Sequence, residues 1–255
     1  MRMFALLIAL IFFTTAHSAD DLPPTLMTIR GKLIMSEDFD KPLPPPEGST
    51  AHFASGFKGW RFNVVKRGGH WDVVDGTFKG SELSEAKHPA TASFGFDFKN
   101  VVIQCDICLH DVTLAAKDFD GGRKTRYFNV RTCDAKDYVC SIVLNPAGMK
   151  IQKDDNDHAG PDKPVPLGKY DMPLKLGEWY TVVFEILGDE MVGTLNGLSL
   201  TGTHPLIGTD KHSVMFVSGV DGSVRHLKIW DAQPNPEWEK NKALLLAAQK
   251  SGEKK

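Results

Sequence analysis

Two stretches of this chain alternate between apolar and polar side chains. In residues 101–110, Val101, Ile103, Cys105, Ile107 and Leu109 share one side, while Gln104, Asp106, Cys108 and His110 take the other. In residues 127–131, Phe128 and Val130 separate from Tyr127, Asn129 and Arg131. Successive side chains on a strand point to opposite faces, so this period places one row in a core and the other on an open sheet face. The polar row carries Gln, Asp, His, Tyr, Asn and Arg, a set suited to sugar hydroxyls.

Further strands are expected at residues 33–39, 60–65, 91–98, 138–145, 149–153, 179–187, 191–195, 198–201, 213–218 and 224–230. Asp75-Gly76 and Asn196-Gly197 sit between alternating runs as hairpin turns. Residues 42–46 are Pro-rich and cannot sit inside a sheet, and residues 154–168 read as a long polar loop. Many short strands with no helical periodicity before residue 235 imply a two-sheet β-sandwich. Asn235-Pro236-Glu237 then opens a helix through a cap, a proline and an acidic first turn. Leu244, Leu245 and Leu246 are candidates to lie against the sandwich.

The first residues add a compartment. Met1-Arg2-Met3 is followed by an unbroken apolar run over residues 4–13 and by small residues to Ala19, the pattern of a secretory signal peptide. The expected organisation is a signal at 1–18, an extension at 19–32, a sandwich domain at 33–232, and a helix with a basic tail at 233–255. No later segment is long and apolar enough to span a bilayer. The protein is expected to be secreted or periplasmic. Loss of Arg2 with the signal takes the formal charge from −2 to −3. Near-neutral, scattered charge gives no reason to expect nucleic acid. A hydrophobic content of 42% with 15 Phe and 5 Trp is enough to fill a core.

Export makes the four cysteines disulfide candidates. Cys105 and Cys108 fall on opposite faces of one strand and neither bridge nor chelate together. A hairpin turning about Lys136-Asp137 would set Cys133 opposite Cys140, so a Cys133–Cys140 bridge is expected.

The polar face is the main candidate site. Asp106 and His110 point the same way, roughly 13 Å apart at Cα, a separation suited to groups flanking a sugar. Gln104, Tyr127, Asn129 and Arg131 would grip hydroxyls or an oxyanion. The alternative is a solvated sheet face with ordinary cross-strand pairs. His88, in a loop before a strand, is a further substrate-binding candidate. Glycoside hydrolysis needs two carboxylates about 5–9.5 Å apart; Asp106 and Glu185 are the pair to test, with Trp179 on the face of Glu185. The acidic loop at 154–158 is dense in hard oxygen ligands for Ca²⁺, yet lacks the spaced register of an EF-hand; no other metal or cofactor is expected.

Gly59-Trp60, Trp71-x-Val73-x-Asp75-Gly76-x-x-x-Gly80, the polar-faced strand, Gly177-Glu178-Trp179, Leu195-Asn196-Gly197 and the closing run Val224 to Trp230 together resemble the 3-keto-disaccharide hydrolase family. That is a concanavalin A-like jelly-roll domain, and the likeness runs from about Leu33 to Asp231. The resemblance implies an exported protein that cleaves glycosides, particularly 3-keto-sugars. A 3-keto group acidifies the C2 proton, so cleavage by elimination needs a base and an oxyanion stabiliser; Asp106 or a nearby His would be the base and Arg131 the stabiliser. The chain departs from the family at Tyr138-Val139-Cys140-Ser141, where many members carry Gly-Tyr-Glu-x-Gln. A silent carbohydrate-binding module and a structural envelope protein therefore stand beside the enzyme as alternatives.

Overall fold

The structure is a computed structural model. It describes residues 22–41, 53–57, 60–63, 69–82, 88–112, 125–158 and 160–252. The signal segment, the Pro-rich run at 42–46 and residues 64–65 lie outside this set.

In chain order the strands are β1 (Thr28–Glu37), β2 (Phe53–Phe57), β3 (Trp60–Asn63), β4 (Gly69–Val74), β5 (Thr77–Glu82), β6 (Ala90–Phe98), β7 (Val101–Leu109) and β8 (Phe128–Cys133). The second half supplies β9 (Tyr138–Asn145), β10 (Gly148–Lys153), β11 (Val165–Asp171), β12 (Trp179–Leu187), β13 (Glu190–Leu195), β14 (Leu198–Thr203), β15 (Lys211–Ser218) and β16 (Gly222–Pro234), before helix α1 (Trp238–Gly252). They form two antiparallel sheets of eight strands. The first runs β14-β13-β12-β7-β16-β5-β4, with β1 also on β16; the second runs β11-β10-β9-β8-β15-β6-β3-β2.

The apolar rows meet between the sheets. Ile103, Ile107 and Leu109 of β7 and Phe128 and Val130 of β8 all enter one core cluster. Trp71 stacks on Phe78 at 4.4 Å between centroids and meets Phe128 edge-on at 6.4 Å, while Phe128 touches Phe216 at 5.6 Å, so the rings tie one sheet to the other. Each such ring contributes about 2 kcal/mol by leaving water. The two hairpin signals hold: Asp75 and Gly76 (φ 50° and 69°) and Asn196 and Gly197 (φ 46° and 85°) take the left-handed backbone that two-residue turns require.

β16 carries a bulge that the alternation rule does not foresee. Arg225 lies opposite Asp106 and Lys228 opposite Gln104, so β16 spends one extra residue there. His226 absorbs it with φ 51°. Arg225 and His226 consequently both reach the outer face, and Leu227 returns to the core.

The chain before β1 folds across the outer face of the first sheet. Met27 packs with Val192 and Trp238, with Leu26 alongside, and Trp238 leads into α1. The helix opens where expected, since Glu237 N–H donates to Asn235 Oδ1 at 3.0 Å. Of the three helix leucines only Leu245 is buried; Leu244 is 65% exposed.

Several expectations are corrected. β7 belongs to the first sheet and β8 to the second, so their polar rows look out from opposite sides of the sandwich and form no common face. The hairpin after β8 shifts register, pairing Thr132 with Cys140 and Cys133 with Tyr138. Cys140 enters the core while Cys133 stays on the row of Arg131, and all four cysteines are free. The stretch read as a loop to residue 168 contains the start of β11, an edge strand that tolerates Pro166 and Gly168 because only β10 pairs with it. The first strand starts at Thr28, inside the stretch read as an extension.

Candidate functional site

A groove of about 640 Å³ opens on the outer face of the second sheet. Three adjacent strands make its floor, through the residues that alternate away from the core. Asn129 of β8 lies opposite Val143 of β9, and Val143 lies opposite Lys150 of β10. One register step along, Arg131, Ser141 and Gln152 form the parallel row. Tyr127 and Arg126 sit at the same end as the turn at Asn145, Pro146 and Ala147, because Phe128 lies opposite Leu144, and together they close that end of the groove.

The second row is tied together. Arg131 Nε donates to Asp154 Oδ2 at 3.0 Å and Nη2 to Oδ1 at 3.3 Å, while Gln152 Nε2 donates to the same Oδ1. The Arg131 guanidinium also lies 4.1 Å over the Tyr138 ring. Arg131 is therefore held in place beside the groove with its charge matched by Asp154. The first row is not matched. Asn129 is 5% exposed, and among the described residues its Oδ1 has no hydrogen-bond partner. Burial, with Glu82 nearby, pushes the Tyr127 phenol up to about 12, so it stays a neutral hydroxyl able to donate and accept. Gly219 permits the tight approach of β15 to this end, since a Cβ there would meet Thr125 O at 2.1 Å and the Tyr127 ring at 2.9 Å.

Asp106, His110, Gln104 and Trp179 belong to the first sheet's outer face. Asp106 accepts from Thr181 Oγ1 at 2.7 Å, and its other oxygen lies 3.3 Å from Arg225 Nε and 2.9 Å from His226 Nδ1. Arg225 in turn stacks 4.1 Å over the Trp179 ring. The bulge in β16 makes this cluster, and every arm of the Asp106 carboxylate is engaged within it. His110 Nε2 meets Ser223 Oγ at 2.7 Å, and burial lowers its pKa despite Asp221 nearby. Gln104 is covered by Arg30, whose Nη2 donates to it at 3.0 Å.

Glu185 is sealed. It is 0% exposed and accepts from the backbone N–H groups of Leu26, Met27 and Thr28 and from the Thr28 hydroxyl. Burial raises its pKa, with those donors pulling the other way. It anchors the N-terminal arm and has no opening to a substrate, so the Asp106–Glu185 pairing for hydrolysis is not formed. His88 lies before β6 with Nδ1 2.8 Å from Pro89 O, on neither polar row.

The acidic loop spends its carboxylates internally. Asp154 serves Arg131, Asp155 accepts from the N–H groups of Asp157 and His158, Asp157 accepts from Gly160 and Asp162, and Asp162 pairs with Lys153. Among the described residues no cluster of three His, Cys, Asp or Glu is arranged to hold a metal ion.

Tyr127, Asn129 and Arg131 leave the core as the alternation implies, and Arg126, Lys150 and Gln152 beside them were not singled out from the sequence. The outward alternation of residues 149–153 was the available signal.

No family model matches the chain, and no curated protein does. Solved structures do. The carbohydrate binding module CBM66 from Bacillus subtilis superposes with a TM-score of 0.53 at 13% identity, over 70% of this chain and 99% of that one. A protein of unknown function with a galectin-like fold, also from Bacillus subtilis, gives 0.51 at 10% identity over 82% and 100%. A LamA variant from Z. galactanivorans, solved with laminaritriose and laminaritetraose, gives 0.51 at 11% identity over 80% and 100%. The fold is a concanavalin A-like jelly roll. At these identities the likeness speaks for the fold alone, and in this jelly roll the open groove lies on the sheet of β8, β9 and β10, while the opposite sheet is partly roofed by the arm before β1. No helix among the described residues is long and apolar enough to cross a membrane.

Proposed function

We propose that the protein is exported and binds a saccharide in the groove over β8, β9 and β10. One observation carries this reading: Asn129 lines the groove, and its buried Oδ1 has no donor among the described residues. A buried acceptor left unmet costs about 1–3 kcal/mol, and a sugar hydroxyl is a donor of the right size. Around it Gln152, Asn145 and the Tyr127 hydroxyl add polar groups, and the Tyr127 ring adds an apolar surface, the usual composition of a small-molecule groove. The shared fold with a carbohydrate binding module supports the same reading.

Binding is favoured over cleavage by the placement of the acids. Elimination from a 3-keto-sugar would ask Asp106 and Arg131 to act on one ring, and they stand on opposite sheets. The described lining of the groove has no carboxylate, and Asp154, bonded to the lining residue Gln152, is also engaged by Arg131.

The test is calorimetry against a panel of glycosides and their 3-keto forms, with product analysis in parallel. Binding without turnover, weakened at least tenfold in Asn129→Ala, is the expected outcome. Turnover of a keto-sugar would restore the enzyme reading, and no binding across the panel would leave the structural envelope role.

A further inference from the structure

We infer that the groove selects an acidic saccharide, a sugar whose ring bears hydroxyls together with a carboxylate or sulfate ester. This rests on the saccharide reading above and names the class of sugar.

The charges of the lining point one way. Arg126 and Lys150 line the groove, and no Asp or Glu stands among the described lining residues. Lys150 makes no ion pair with any described residue, unlike its cross-strand neighbour Lys169, which pairs with Asp171 at 2.8 Å. Arg126 spends Nη2 on the Val112 carbonyl at 2.6 Å, and its buried Nε has no partner among the described residues. Of the acids close by, Asp154 is matched by Arg131, and Glu82, which helps raise the Tyr127 pKa, is not among the described lining residues. Two cations thus line a groove whose described lining carries no acid, and an anion within reach would gain a charge-assisted hydrogen bond.

A bare anion does not satisfy the rest. Asn129 Oδ1 is an acceptor and needs a hydroxyl or N–H. It stands two strands from Lys150, with Val143 between, a Cα separation of roughly 10 Å. One sugar ring resting on Val143 would present a hydroxyl to Asn129 at one edge and a negative group to Lys150 at the other.

The experiment is calorimetry on the full exported chain with three oligosaccharides of equal length: an oligouronate, its carboxyl-reduced neutral form, and a sulfated galactan fragment. At least one acidic ligand should bind at least tenfold more tightly than the neutral one, and the better of the two assigns the anion. Lys150→Gln should remove most of that preference, lowering affinity for the better acidic ligand at least tenfold, and raising salt should erode the same preference. Lys150 is on the sheet surface, and an unchanged melting temperature confirms that its variant is folded. Equal affinity for all three ligands would overturn the acidic class and leave the saccharide reading standing. No binding to any of them would remove both.

Discussion

Thr28 gives both its backbone N–H and its hydroxyl to the same oxygen of Glu185, each at 2.8 Å. With Leu26 and Met27 adding their N–H groups, Glu185 is the post to which the arm before β1 is fastened. Glu185→Ala would leave these donors buried and unmet, so a loss of about 3 kcal/mol is expected from the denaturation midpoint. Groove affinity should stay within about twofold, because Glu185 is on the other sheet. A variant as stable as the parent would contradict the anchoring role.

Asp106 organises Thr181, Arg225 and His226, and no described groove residue contacts it. Asp106→Asn keeps the shape and weakens two charge-assisted contacts, so it is expected to cost about 1 kcal/mol of stability. Saccharide affinity should not move. Loss of binding in Asp106→Asn, with the fold intact by circular dichroism, would shift the site to the first sheet.

How much of this was legible beforehand follows from what alternation encodes. The period-2 rows of β7 and β8 correctly named which side chains leave the core, and Asp-Gly and Asn-Gly correctly marked two hairpins. Alternation says nothing about which sheet a strand joins. Residues 101–110 and 127–131 carry the same pattern, and the connection between them carries the chain from one sheet to the other. The one-residue shifts were equally hidden: the bulge at His226 built the Asp106 cluster, and the slip after Thr132 turned Cys133 away from Cys140. Glu185 alternates outward as expected, and only the long-range return of the arm at Thr28 buries it.

The cysteines give a chemical check. All four are free and buried, and burial pushes the thiols of Cys133 and Cys140 up to about 12, where little thiolate forms at neutral pH. Protein unfolded without reductant should titrate four thiols with a disulfide reagent, and the native protein should react far more slowly. Two thiols in the unfolded protein would restore the Cys133–Cys140 bridge.

His110 supplies a pH dependence. Burial lowers its folded pKa below the ordinary 6.5, so the unfolded chain binds the proton more readily. Its contribution is complete above pH 6.5 and is lost as pH falls through the folded value. Stability of the parent should therefore decline on acidification from about pH 7, more steeply than in His110→Gln, as read from urea midpoints. Identical slopes would contradict the burial argument.

The most direct measurement is amide-shift mapping by NMR while an oligosaccharide that binds is titrated in. Perturbations centred on Tyr127, Asn129, Val143, Lys150 and Gln152, with Asp106, Trp179 and His226 unmoved, are the result expected for a groove on β8, β9 and β10. Perturbations centred on Asp106, Trp179 and His226 instead would contradict it.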